Sequence, residues 1–418
     1  MTRELINNLL GIIESYKMPE VLMNILNSKN ERENLFEEFL KYEQDLSFDW
    51  FTDYFQQEHG DREALKQDFT PNCICEIISN LTEPTDTVAD ICSGTGGLFI
   101  KNWLVNKDAY FHCEEISGRT IPILLFNMAI RGINGELIHG DSLEQKIECV
   151  YLLKNNGKFS DITKVENVEQ FKAKKVVSNP PYSIAWNTTA KQLDIRFREY
   201  ALAPKSKADY AFILHGLYQL EDNGTLLAIL PHGVLFRGSA EGQIRKQLLE
   251  ENIIDAVIGL PDKLFLNTQI PTLILVLKKS KNTNDVLFID ASKEFVTGTS
   301  RKQNTMNKDN INKILEAYKK RKFIEKFAFV STMDEIRKND YNLNIPRYVD
   351  TFEPEPLPDM EELIKDLDEI EKEIKKTEFN LLNYMKQMVG TNKQANKQVK
   401  KETKMFEDML MNKYGVIQ

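Results

Sequence analysis

Asp90-Ile91-Cys92-Ser93-Gly94-Thr95-Gly96-Gly97 closes a strand-like run, Thr87–Ile91, and opens onto helix-like sequence at Leu98. A strand, a tight glycine turn and a helix in that order form the opening unit of a doubly wound α/β sheet. Clustered glycines let the backbone approach a ligand closely, with a helix N-terminus behind them. The spacing narrows the ligand. Dinucleotide loops place glycines as G-x-G-x-x-G, and phosphate loops continue into Gly-Lys-Ser/Thr. Gly94-x-Gly96-Gly97 does neither.

Outward from this turn, short apolar runs alternate with longer amphipathic stretches. Strands are predicted over Thr87–Ile91, Ala109–Glu114, Gly135–His139, Lys175–Ser178, Thr225–Leu230, Ile253–Gly259 and Thr272–Leu277, with helices over Arg119–Ile130 and Asp209–Leu220. Such alternation predicts an α/β fold with a doubly wound, Rossmann-like sheet over residues 66–350. Residues 1–65 read as helices, because Leu5, Ile6, Leu9, Leu10 and Ile13 recur at helical spacing, as do Leu35, Phe36, Phe39 and Leu40. Beyond the Pro-punctuated linker Glu353–Pro358, residues 351–418 read as a helical docking segment. Met360, Leu363, Leu367, Ile370 and Ile374 step by three and four among Glu and Lys, Thr377 interrupts, and Leu381 follows. The tail Thr391–Lys404, rich in Lys, Gln and Asn, reads as a solvated helix or a disordered stretch.

At 418 residues and 42% hydrophobic, the chain supports roughly two to three domains. No apolar run approaches the about 18 residues of a membrane span, and Met1–Leu5 lacks a basic-then-apolar leader. Five scattered cysteines predict free thiols in a reducing cytoplasm. The net charge is −9, but residues 1–65 hold 6 Lys/Arg against 14 Asp/Glu and so carry most of the excess. The remainder is near neutral, so any nucleic-acid affinity must come from local basic patches or a partner.

A second cluster, Ser178-Asn179-Pro180-Pro181-Tyr182, follows the apolar pair Val176-Val177. An amide or exocyclic nitrogen has a delocalised lone pair, and to attack a methyl group it needs acceptors on its N–H bonds. An Asn side-chain oxygen and the carbonyl of Pro180 supply two such acceptors in fixed geometry, since proline locks φ. The Tyr182 ring suits stacking on a flat base. Taken alone, the same residues also suit a turn that closes a strand.

Between the two clusters lie Glu114-Glu115 at the end of one strand and Asp141 at the end of the next. A carboxylate at the first position accepts from both ribose hydroxyls, and one at the second from an adenine amino group. Each element singly also suits a surface turn. In order on successive strand ends, where open α/β sheets bind ligands, they make one site.

With these residues the chain resembles the N6-adenine DNA methyltransferases, most closely the methylation (M) subunits of type I restriction–modification systems, over about residues 66–350. Gln67-Asp68-Phe69-Thr70-Pro71 is similar to the family segment that holds the methionine end of S-adenosyl-L-methionine. Ala208–Phe212, Leu230–Gly238, Gly259–Pro261 through Ile270-Pro271, and Asp340–Pro346 running into Arg347-Tyr348 resemble later segments. The resemblance implies direct methyl transfer from S-adenosyl-L-methionine to adenine N6 of duplex DNA, with the base flipped out of the helix. It implies Asn179, Pro180, Pro181 and Tyr182 as the catalytic set, and Tyr182 with Phe265 as base-stacking rings. For the cofactor it implies Asp90, Gly94 and Gly96 at the floor, Thr70 at the methionine end, Glu115 rather than a solvated Glu114 at the ribose, and Asp141 at the adenine. The implied partners are double-stranded DNA, a specificity (S) subunit, a second M subunit and a restriction (R) subunit. Two departures stand out: the front helical segment is shorter than the family's, and Ile91-Cys92-Ser93 replaces the usual Pro, small residue and Cys.

Other chemistries are weaker. Cys73-x-Cys75, His112-Cys113 and His139 lack four-ligand metal spacing, so no metal is predicted. Cys92 lacks the Pro-Cys pair of cytosine C5 chemistry. Lys319-Lys320-Arg321-Lys322 reads as a solvated helix face or a phosphate contact. Asn-Pro-Pro-Tyr also serves glutamine and RNA adenine methylation, and a non-catalytic assembly subunit retaining the fold is the alternative from another class.

Overall fold

The computed structural model describes residues 1–52, 54, 69–167, 169–266, 269–297, 303–351 and 359–415. Gln67-Asp68, the linker Glu353–Pro358 and the end of the front segment lie outside the described residues. Compactness divides the chain into Met1–Thr351 and Phe352–Gln418.

The first unit opens with helices α1 (Arg3–Leu10), α2 (Met18–Asn27) and α3 (Lys29–Tyr42). Thr2 caps α1 and Gly11, at φ 65°, ends it. Then come α4 (Asn72–Asn80), β1 (Thr87–Asp90), α5 (Gly97–Val105), β2 (Tyr110–Glu115), α6 (Ile121–Ile130) and β3 (Asn134–Asp141). The hairpin β4 (Lys146–Asn155) and β5 (Ser160–Val165) precedes β6 (Ala173–Ser178). After a long excursion follow α7 (Asp209–Gln219), β7 (Leu220–Pro231), α8 (Ser239–Glu250), β8 (Ile254–Gly259), β9 (Thr272–Lys278) and β10 (Asp285–Asp290). The unit closes with the ribbon β11 (Val296–Thr297) and β12 (Asn304–Thr305), then α9 (Lys308–Lys320), β13 (Ala328–Thr332) and α10 (Met333–Lys338).

Eleven strands form one sheet in the order β13-β10-β8-β9-β7-β6-β1-β2-β3-β4-β5. β6, β1, β2 and β3 run parallel as neighbours, while β9 lies antiparallel between β7 and β8. The α/β expectation therefore holds, with every predicted strand present. The sequence order reverses at β1, which pairs with β2 on one side and β6 on the other. Ligands bind at such a switch point, outside the carboxyl ends of the strands. β8 is buried at every residue because helices cover both faces of the sheet, hence its unbroken apolar run.

Four strands outside the sequence prediction extend the sheet: β4 and β5 at one edge, β10 and β13 towards the other. β4 carries four buried residues, three of them consecutive, between exposed ends, so it shows no clean alternation.

The front helices share a core with the sheet. Phe36, Phe39 and Phe51 surround the Phe126 ring of α6, with ring centroids 5.1, 4.9 and 5.1 Å from it. Arg131 donates to the carbonyls of Leu46 and Phe48, fixing the strap that follows α3.

The second unit is a pair of helices, α11 (Met360–Gln387) and α12 (Lys393–Tyr414). Buried Leu382 and Leu410 join them, with Lys386–Glu407 and Lys413–Glu378 ion pairs alongside. α11 runs unbroken through Thr377, and the tail is helical. The predicted seam does not face α12: Met360, Leu367 and Ile370 are 66, 59 and 53% exposed.

Candidate active site

The glycine turn after β1 carries the chain from the sheet into α5. Gly94 and Gly96 have φ of 55° and 105°, conformations that cost an L side chain free energy. A Cβ at Gly96 would overlap the buried Phe99 ring, and one at Gly94 would meet the Phe69 ring at 3.0 Å. Gly96→Ala is expected to lower the unfolding free energy by roughly 2–5 kcal/mol, from backbone strain plus overpacking. Urea titration measures this, and wild-type stability would contradict the packing described.

Glu115 ends β2 facing the turn. Its Oε2 accepts the Gly94 N–H and its Oε1 the Ser117 N–H, both at 2.8 Å. Each carboxylate oxygen keeps a further acceptor position. Burial pushes the Glu115 pKa up against these bonds. Asp141 ends β3, and its Oδ1 accepts from the Leu143 and Glu144 N–H groups at 2.9 and 3.0 Å, shaping the turn beside it. Lys191 and Arg196 strap that turn by donating to the carbonyls of Ser142 and Leu143.

At the end of β6 the Asn179 carboxamide lies between two hydroxyls. Its Nδ2 donates to Thr70 Oγ1 at 3.0 Å, and its Oδ1 accepts from the Tyr182 hydroxyl at 2.8 Å. The exit from this cluster is locked. Ser183 sits at φ 50°, and buried Asp209 at the start of α7 accepts both its N–H, at 2.8 Å, and its Oγ–H, at 3.1 Å. Arg237 donates to Asp209 at 3.0 Å and to Glu241 at 3.2 Å.

These groups share one cleft of about 540 Å³. Thr70, Gly94, Glu115, Asp141 and all four residues Asn179–Tyr182 line it. So do Glu114 and Glu144, whereas none of the described lining residues is Lys, Arg or His.

Three predicted site residues stand behind the wall. Asp90 is buried, with one oxygen accepting the Cys92 N–H at 3.4 Å and Oδ2 without a hydrogen-bond partner. Burial, reinforced by Glu115 and Glu114 and opposed by the Cys92 N–H, pushes its pKa up to about 8. Gly96 shapes the turn without facing the cleft. Phe265 is 2% exposed and meets Tyr182 edge-on at 6.1 Å and 84°. In this conformation it supports the Tyr182 ring and does not offer a face to a base, because it packs in the core beneath; Ile270 lines the cleft on that side.

Glu114 is not a solvated neighbour. Successive strand residues point to opposite faces, and its buried carboxylate accepts from His112 and His215, each at 3.1 Å, and from Gln219. Burial opposes its charge, but the two imidazoles hold it well below the usual carboxylate range. Arg196 can only donate, so His215 Nδ1 accepts at 2.9 Å and its Nε2–H serves Glu114. His112 also bonds Glu136 at 2.6 Å. Burial disfavours the imidazolium, yet the two carboxylates raise His112 from 6.5 to about 9. A raised histidine stabilises the fold fully below pH 6.5 and loses that contribution as pH rises through about 9. Up to about 3 kcal/mol is expected to disappear over this window. His112→Gln should flatten that limb in urea titrations, and the difference from wild type separates it from Asp90, whose slope has the same sign.

Burial pushes the Cys92 thiol well above its ordinary value, against a thiolate nucleophile. Arg321 pairs with Asp255 at 3.1 Å and Asp285 at 2.6 Å, so the basic cluster contributes a structural clamp. Among the described residues, no three His, Cys, Asp or Glu side chains gather as metal ligands, and no helix is long and apolar enough to cross a membrane.

Residues 46–356 match the N-6 DNA Methylase family model. The chain is 35% identical over 324 residues to the type I restriction enzyme MpnII methylase subunit of Mycoplasma pneumoniae, covering 72% of this chain and 56% of that one. It is 30% identical over 345 residues to the MjaVIII methylase subunit of Methanocaldococcus jannaschii, covering 78% and 56%. The type I restriction-modification system methyltransferase subunit from Streptococcus thermophilus superposes with a TM-score of 0.60 at 40% identity, over 68% of this chain and 59% of that chain. The chain thus spans a little over half the length of these relatives. With a glycine turn, strand-end acids and Asn-Pro-Pro-Tyr on one cleft, and a family match that covers most of its length, the chain belongs to the N-6 DNA methylases.

Proposed function

We propose that this protein transfers a methyl group from S-adenosyl-L-methionine to adenine N6 in duplex DNA, as the modification subunit of a type I restriction–modification system. The observation that carries the proposal is the Asn179 carboxamide held at the edge of a cleft lined by Glu115, Asp141 and Glu144 and, among the described lining residues, no cation. An acidic, cation-free cleft disfavours phosphate-bearing cofactors and favours one with positive charge. The residues present fit S-adenosyl-L-methionine, with Glu115 oxygens for ribose hydroxyls, Asp141 for the adenine, and Thr70 with the Gly94–Gly97 turn at the methionine end. Bound there, S-adenosyl-L-methionine supplies an electrophilic methyl group.

The chain's own groups position the acceptor. Asn179 Oδ1 and the Pro180 carbonyl accept the two N6–H bonds, which turns the nitrogen lone pair into the cleft. Pro180 and Pro181 fix the backbone that aims them. Tyr182, backed by Phe265, stacks on the base, which must leave the helix to reach this depth. The decisive experiment incubates the chain, purified with the subunits it carries, with methyl-labelled cofactor and DNA, RNA or release factor. Label in DNA adenine N6 supports the proposal. Label in RNA or protein alone assigns the alternative substrate, and absence of cofactor binding assigns an assembly subunit.

The exposed seam of α11 supports docking to a helical specificity (S) subunit, in a complex that brings a second M subunit and a restriction (R) subunit to DNA. Leu367→Glu with Ile370→Glu in the full chain is expected to abolish co-purification of the S subunit, because both side chains are exposed and available. Unchanged recovery would remove this seam from the interface.

A further inference from the structure

We propose that Thr70 is a positioning residue for Asn179, whose hydroxyl fixes the plane of the carboxamide that receives the target amino group. The inference rests on the proposed adenine N6 activity and adds a second task to a residue assigned to the cofactor's methionine end. An Asn side chain turns about a broad sp³–sp² torsion and holds one plane only where neighbours anchor it. Here the neighbours include two hydroxyls, one 109 residues back along the chain and one three residues on. Thr70 Oγ1 takes the Nδ2–H at 3.0 Å, and the Tyr182 hydroxyl gives to Oδ1 at 2.8 Å. A carbonyl oxygen has two lone pairs, so accepting from Tyr182 is compatible with accepting a substrate N–H.

Thr70 is itself held. Pro71 begins α4, with its carbonyl accepting the Ile74 and Cys75 N–H groups at 3.0 and 3.1 Å. The Thr70 carbonyl accepts from the Cys75 thiol at 3.6 Å. Phe69 lies close against Gly94 on the other side, so the segment joins the glycine turn to the acceptor clamp. Loss of the Thr70 hydroxyl removes an anchor of the carboxamide on its Nδ2 side, and a misplaced acceptor costs rate more than cofactor affinity.

The test compares Thr70→Val, which keeps the branched shape, with Thr70→Ser, which keeps the hydroxyl, in the full chain with its subunits. Thr70→Val is expected to lower kcat about 10²-fold, the scale of an ångström of misplacement. Any rise in its calorimetric Kd for S-adenosyl-L-methionine reads the cofactor task and is expected to be much smaller than the loss of kcat, and Thr70→Ser should restore most of the rate. A weakened Kd with unchanged kcat would return Thr70 to the cofactor alone. Equal losses in both variants would assign the effect to packing. Crystals of Thr70→Val give a readout independent of turnover: the Asn179 carboxamide should leave its wild-type plane, and an unmoved amide overturns the inference. A wild-type complex that leaves DNA unlabelled counts against the proposed activity, and the amide plane still decides the role of Thr70.

Discussion

Asn179→Ala is expected to lower methyl transfer to DNA by about 10²–10³-fold, the scale for removing one preorganised hydrogen-bonding group from a reacting centre. Cofactor affinity should be unchanged, because Glu115, Asp141 and the glycine turn are left in place. Asn179 is only half-buried, so truncation leaves little cavity and the variant should fold. Asn179→Asp should recover only part of the loss. It keeps acceptor oxygens but gives up the Nδ2 donor to Thr70 and adds an acid to a cleft already lined by Glu115, Asp141 and Glu144. Single-turnover assays with the full complex separate the chemical step from product release. A variant that methylates at the wild-type rate would move the acceptor role away from Asn179.

Asp209→Ala should cost the most stability. The carboxylate is fully buried and accepts from Ser183 twice and from Arg237. Removing one partner of a buried pair costs roughly 3–5 kcal/mol, because the other is left uncompensated. Arg237 is partly exposed and retains Glu241, which places the expected loss near the lower end, about 3 kcal/mol. Ser183 would also lose the bonds that hold its left-handed backbone, so the Asn179–Tyr182 turn should loosen with it. Asp209→Asn keeps an acceptor for the Ser183 N–H and should recover part of the stability. Urea titration gives the first number and kcat the second. A loss below about 1 kcal/mol with full activity would show that the turn holds its shape without Asp209.

The parts of the site legible in the sequence are those built from neighbours along the chain. The glycine turn, the acids at the ends of β2 and β3, and Asn179–Tyr182 after β6 each follow a strand-like run, and the parallel order puts those ends at one switch point. The seam on α11 was legible too, since helical spacing alone defines a face. Choosing between Glu114 and Glu115 required the fold. Strand periodicity says only that the two point to opposite faces, and Glu114 finds partners in His112 and in His215, which lies on a distant helix.

Tertiary structure alone decided the bonds that set the site's shape. Thr70 and Asn179 are 109 residues apart, and Ser183 and Asp209 are 26 apart. Asn127 links the Thr95 carbonyl of the glycine turn to Asp49 of the front segment. No local propensity encodes such pairs, because a hydroxyl or carboxylate suits many partners and the packed sheet selects among them. Phe265 makes the same point: an aromatic residue in a loop reads equally as a base platform or as core, and burial beneath Tyr182 decides its place. The sequence by itself determined which chemical groups stand at the strand ends. The fold decided which way each one faces, since facing depends on contacts between segments far apart in the chain.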